Sequence, residues 1–202
     1  MAKPLNRAPP RREPLKRYFL LCEGKNTEPD YFQSLVDYFQ AANVEIILVP
    51  AAGAPQTILA KADEIRKRKG KKSSFEGGDE IWAVFDRDNH EEFDSARLEC
   101  RQKGINVAYS DPCFELWLIL HHRTVHAPKN HHEIQKQFEA LDPSYKSTGG
   151  KRCNFKVLAD KVKAAEKNAV ILLKARVAEG RPESCPSTTV HLLTSKLRGE
   201  NT

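Results

Sequence analysis

The apolar positions of this chain fall into two kinds of block. Short continuous runs, Tyr18-Phe19-Leu20-Leu21-Cys22 and Ile81-Trp82-Ala83-Val84-Phe85, hold no charged residue, which marks strands buried on both faces of a parallel sheet. Between them lie stretches whose apolar residues recur every three or four positions, the spacing of one helix face. The pattern predicts a strand over 17–22, then a helix from about Pro29 to Ala42 with Tyr31, Phe32, Leu35, Val36 and Phe39 on its apolar side. Thr27 is placed to cap that helix, and Pro29 suits its first turn. A strand rich in β-branched residues follows from Val44 to Val49, and a helix over about 55–69 turns Ile58, Leu59, Ala62 and Ile65 inward. A strand over about 79–85, a helix over about 90–103 closed by Gly104, and a strand from Ile105 to Tyr109 complete the alternation. Such alternation implies right-handed crossovers and a mainly parallel four-stranded α/β sheet flanked by helices.

Beyond Pro112 the pattern changes. Cys113 to His122 reads as a short buried helix, and further helices are predicted at about 130–141, 154–179 and 187–198. The stretch from Asp142 to Lys151 holds Pro, Ser, Thr and two Gly, so it reads as a loop. The chain therefore divides into an arm over 1–16, a core over 17–125 and a helical extension over 126–202 packed on that core.

Charge adds the arm's character. Residues 1–17 carry six cations, Lys3, Arg7, Arg11, Arg12, Lys16 and Arg17, against Glu13 alone, so most of the net charge of +6 sits there. With Pro4, Pro9, Pro10 and Pro14 in the same stretch it reads as a flexible basic arm. A second basic run, Arg66-Lys67-Arg68-Lys69-Gly70-Lys71-Lys72, leaves a helix for a loop. Two roles are open to both: contact with nucleic-acid backbone, or plain solvation. No apolar stretch reaches the roughly 20 residues of a bilayer span, and the N-terminus lacks the apolar segment of a secretory signal. The five cysteines are scattered without a Cys-x-x-Cys pair, which points to a reducing, cytoplasmic setting.

The candidate chemistry lies where strands run out. Glu23-Gly24 follows the first apolar run, and Asp86-Arg87-Asp88 follows the third predicted strand. Ligands of open α/β sheets collect at such carboxyl ends. Asp86 and Asp88, two residues apart, share one side of an extended tail, and Gly24 lets the backbone turn and an ion or phosphate come close. Carboxylates gathered at one edge repel each other unless a cation stands between them, and a hard divalent ion takes oxygen ligands. The expectation is a metal-dependent enzyme acting on phosphates. Glu28 either faces the same centre or serves as a first-turn acid favoured by the helix dipole. Lys25 either binds phosphate or is a solvated loop lysine. His121 is either a general acid or base, or a hydrogen-bonded core residue. The group His121, His122, His126, His131 and His132 has no ordinary zinc spacing, and Trp82 and Trp117 read as core.

Taken together, Glu-Gly on the first strand and Asp-x-Asp on the third resemble the Toprim fold of topoisomerases, primases and overcoming-lysogenization-defect nucleases. The segment from Leu21 to Phe32 (Leu-Cys-Glu-Gly-Lys-Asn-Thr-Glu-Pro-Asp-Tyr-Phe) resembles, more closely, the opening motif of the RloB-like family. Phe85-Asp86-Arg87-Asp88 resembles its central motif, Tyr109 to His121 its most distinctive one, and Pro186 to His191 its closing one. Asp111 departs from the pattern, standing where Asn is expected before Pro-Cys-Phe-Glu, and its role is left open. The resemblance, over residues 17 to about 198, implies a Toprim-like core. It implies a place in bacterial phage defence and abortive infection, with Glu23, Asp86 and Asp88 as metal-binding acids and Glu28 and Glu115 as supporting ones. It implies a nuclease using Mg²⁺ or Mn²⁺ on DNA, RNA or tRNA, with catalytic roles for Glu115 and Lys25. A partner ATPase or other defence subunit and a homo-oligomer are further possibilities. Two rivals stay open: a non-catalytic sensor or partner-binding module, and phosphotransfer other than hydrolysis.

Overall fold

The computed structural model describes residues 16–40, 44–50, 55–69, 79–87, 92–146, 154–182 and 184–199. In β1 (Lys16–Cys22), Tyr18, Leu20 and Cys22 join one apolar cluster and Phe19 and Leu21 the other, on opposite sides of the sheet. β3 (Glu80–Asp86) divides likewise, with Trp82 and Val84 against Ile81, Ala83 and Phe85. A strand covered on both sides must be apolar at every position, which is why both runs are unbroken. β1 pairs in parallel with β2 (Val44–Val49) and with β3, and β3 with β4 (Asn106–Asp111).

The expected four parallel strands are present, but the sheet has a fifth. β5 (Ser187–Thr188) runs antiparallel to β4, giving the order β2-β1-β3-β4-β5 and a mixed sheet. Its two residues had been expected to begin a helix over 187–198; the helix there is α8 (Val190–Leu197). The threonines explain the shift. Thr188 donates its hydroxyl to the Tyr109 carbonyl at 2.8 Å, and Thr189 donates to the Val107 carbonyl at 3.2 Å. The β-branched Thr188 suits the pleat, and Thr189 stands at the N-cap of α8.

Helices α2 (Pro55–Lys69) and α3 (Phe93–Gln102) cover one face, burying Ile58, Leu59, Ala62, Phe93 and Cys100. The other face carries α1 (Thr27–Phe39), α4 (Glu115–Leu120), α5 (His131–Leu141), α6 (Phe155–Ala159), α7 (Val162–Ala178) and α8. That larger apolar cluster reaches from Tyr18 to Leu197. Every residue of α4 is buried, so this short helix owes its stability to packing. Gly104 takes the left-handed conformation (φ 61°) that ends α3, as expected. Two boundaries differ. The helix expected over 154–179 breaks into α6 and α7, and Thr27 is the first helical residue of α1, with Asn26 in the cap position. Among the described residues no helix is long and apolar enough to cross a membrane.

Candidate functional site

Parallel register sets the strand ends side by side. Cys22 pairs with Val84 and Asp86 with Ser110, so Glu23, Asp86 and the turn after β4 share one edge of the sheet. The Glu23 N–H donates to the Val84 carbonyl at 2.9 Å, extending the ladder by one bond. In return the Asp86 N–H donates to the Glu23 carboxylate at 3.4 Å. Glu28 is buried in the first turn of α1, and a Cβ on Gly24 would collide with its carboxylate. The Glu28 carboxylate thus occupies the space that the missing Cβ of Gly24 leaves beside the turn. Glu115 opens α4 at 1% exposure, and the buried Tyr145 donates its hydroxyl to the Glu115 carboxylate.

The electrostatics tie these acids together. Burial pushes the Asp86 carboxyl well above the usual carboxylate range, and the charges of Glu28, Glu115 and Glu23 push it the same way. A backbone hydrogen bond from Phe114 opposes them. The Cys113 thiol is raised by burial and then by Glu115 and Asp86. Asp86 thus lies within the field of Glu23, Glu28 and Glu115.

Among the described residues no group of three or more His, Cys, Asp or Glu side chains is arranged so as to hold a metal ion. Asp88 lies outside the described residues, as do residues 1–15 of the arm and residues 70–72 of the second basic run. The donor chemistry of the four acids fits a hard divalent cation. All are carboxylates, and the central one is disfavoured as an anion by its own neighbours, a penalty that a cation removes.

The remaining candidates separate. Lys25 is exposed on the turn between β1 and α1, two residues after Glu23. Asp111 faces Arg87, whose guanidinium lies 3.3 Å from its carboxylate. Burial raises the Asp111 carboxyl and Arg87 pulls against it. Arg87 also donates its backbone N–H to the Ser110 carbonyl at 2.8 Å, so the middle residue of Asp-x-Asp fixes the end of β4. His121 belongs to the core. Its Nδ1 lies 3.0 Å from the Trp117 carbonyl and its Nε2 3.0 Å from the Tyr31 hydroxyl. Nδ1–H donating and Nε2 accepting satisfies both bonds with a neutral ring, and burial pushes its pKa down to about 3. His122, His126 and His132 are exposed, while Trp82 and Trp117 are buried as expected.

Two contributors carry little signal in the sequence. Tyr145 sits in the segment read as a loop, where a lone aromatic among turn residues was the only signal. Arg87 was visible only as the spacer of a motif.

A family model described as RloB-like protein matches residues 18–197, a span that holds all four acids. No curated protein and no solved structure matches this chain.

Proposed function

This chain belongs to the RloB-like protein family, and from that premise we propose that it is a Toprim-type nuclease of bacterial anti-phage defence. It cleaves phosphodiester bonds of DNA, RNA or tRNA with Mg²⁺ or Mn²⁺. The observation that carries this reading is the convergence of Glu23, Glu28 and Glu115 on Asp86 where β1, β3 and β4 end. Glu23 and Asp86, with Glu28 and Asp88, would hold the ion. The chemistry supplied by Mg²⁺ or Mn²⁺ there is a lowered pKa for bound water and positive charge facing the transferring phosphoryl group.

The chain's own residues do the rest. Glu115, held by Tyr145, would accept a proton at its carboxylate. Lys25 would bind a phosphate, and the basic arm grips the backbone without reading sequence. Labelled DNA, RNA and tRNA incubated with the purified protein in Mg²⁺, Mn²⁺ or EDTA test the proposal. Cleavage of at least one substrate with metal and of none in EDTA is expected; no cleavage of any of them sinks it.

One observation favours a second reading. Glu115 is 1% exposed and accepts the Tyr145 hydroxyl, as suits a non-catalytic sensor or partner-binding module whose acids serve only its structure. Glu115→Gln separates the two. The amide keeps an acceptor for Tyr145 and loses only the charge, so a nuclease should slow at least tenfold, about 1.4 kcal/mol of barrier, with its melting temperature nearly unchanged. A variant that melts earlier yet cuts at the wild-type rate would make Glu115 structural.

A further inference from the structure

β2 closes one side of the sheet, and among the described residues its strand partner is β1 alone. A strand with one neighbour turns the rest of its N–H and C=O groups outward, as a template for a further strand. The other side of the sheet is treated differently. There β5 and the Thr189 hydroxyl cover the end of β4.

Soluble proteins blunt a free edge with lysine, proline, a bulge or a very short strand. β2 has none of these. Its six residues, Val-Glu-Ile-Ile-Leu-Val, pair with Lys16–Leu21 in unbroken register, and five of them are apolar. Val44, Ile46 and Leu48 pack on one apolar cluster, Ile47 and Val49 on the other. All five stay partly exposed, whereas Tyr18 to Cys22 of β1 are buried. Burial is thus incomplete on both faces of a single strand.

The chain's own undescribed segments are poor candidates to complete it. The arm carries Pro4, Pro9, Pro10 and Pro14, which withhold N–H donors, and residues 70–78 hold Gly70, Gly77 and Gly78. β2 is, however, complementary to itself. A two-fold axis normal to the sheet keeps each face on its own side, so antiparallel copies meet in one of two registers. Centred on Ile46, Val44 stands opposite Leu48 and Glu45 opposite Ile47. Centred on Ile47, Glu45 stands opposite Val49 and Ile46 opposite Leu48. In both, the strand's one charge avoids its own copy, so no like charges meet across the ladder. Glu45 is answered within its own chain by Arg17, its partner in register.

We infer that two copies of this chain join β2 to β2, antiparallel, in one continuous sheet with five strands from each copy. The contact is isologous and closes on itself. It also sets the Glu23 and Asp86 edges of the two copies at opposite ends of the shared sheet. This inference stands apart from the proposal of cleavage.

Sedimentation of the full chain in EDTA tests it, together with hydrogen exchange read by mass spectrometry. A species of twice 22.9 kDa is expected as concentration rises, with β2 amides exchanging at least tenfold more slowly than in dilute protein and β3 amides unchanged. Ile46→Lys and Ile47→Lys should each weaken association at least tenfold with circular dichroism unchanged; if either fails to fold, exchange in the wild type decides alone. A monomer at every concentration overturns the inference. So does a dimer that leaves β2 exchange unaltered or survives both substitutions. Protection of β2 in the monomer that is lost on deleting residues 1–15 would assign the edge to the arm and overturn it too.

Discussion

Replacing Asp86 by Asn is expected to reduce cleavage by roughly a thousandfold, about 4 kcal/mol of barrier, and to raise the melting temperature of the metal-free protein. Both effects follow from its place. Asp86 is desolvated and pressed by the charges of Glu28, Glu115 and Glu23, so its folded pKa stands above that of the unfolded chain. The folded protein then holds this proton more tightly. The stability it contributes is complete below the unfolded value and is lost as pH rises through the folded one. Asn carries no such cost. Thermal denaturation in EDTA should show a gap between variant and wild type that widens as pH rises from the ordinary carboxylate range towards the folded pKa of Asp86. A variant that melts below wild type at pH 8 would mean that the neighbouring acids do not press on this position.

Trp117→Ala is expected to cost roughly 3–5 kcal/mol, the range for emptying a large aromatic site in a packed core. The ring is fully buried on α4 and meets Tyr31 and His121 edge to face, at 6.3 and 5.1 Å between centres. α4 has only six residues and little helical stability of its own. The helix that carries Glu115 is therefore held by this side chain and its apolar neighbours. Urea denaturation should show a lower midpoint with an unchanged slope. A loss below about 1 kcal/mol would mean that the cavity collapses and that the core is not closely packed there.

The features readable from sequence were those written as a repeated local pattern. The unbroken runs 18–22 and 81–85 announced strands covered on both faces, and their ends located Glu23 and Asp86. Gly104 announced the end of α3 because a left-handed residue there needs no Cβ. The features that stayed hidden depend on distant partners. β5 has two residues, too few for any period to register. The break between α6 and α7 falls at Asp160-Lys161, where neither Gly nor Pro signals it. The partner of the His121 Nε2 is Tyr31, 90 residues earlier. The grip on Glu115 comes from Tyr145, 30 residues later, and the charge of Asp111 is answered by Arg87. Spacing along the chain placed the acids at one edge, while their electrostatic coupling needed the fold.

The two-residue β5 has a consequence for how the protein reaches this fold. Ser110 and Thr188, whose hydroxyls lie 3.0 Å apart, are separated by 78 residues of chain. The parallel pairs of β1 to β4 join nearer neighbours, and pairings of high sequence separation form slowly. A folding chain that has assembled its first four strands still offers the end of β4 as a raw edge, a template for a strand of another molecule. Thr188 and Thr189 bond to Tyr109 and Val107 and withdraw that template. These residues of the closing motif therefore act as a gatekeeper against aggregation, and their value is greatest in the crowded interval before the fold is complete.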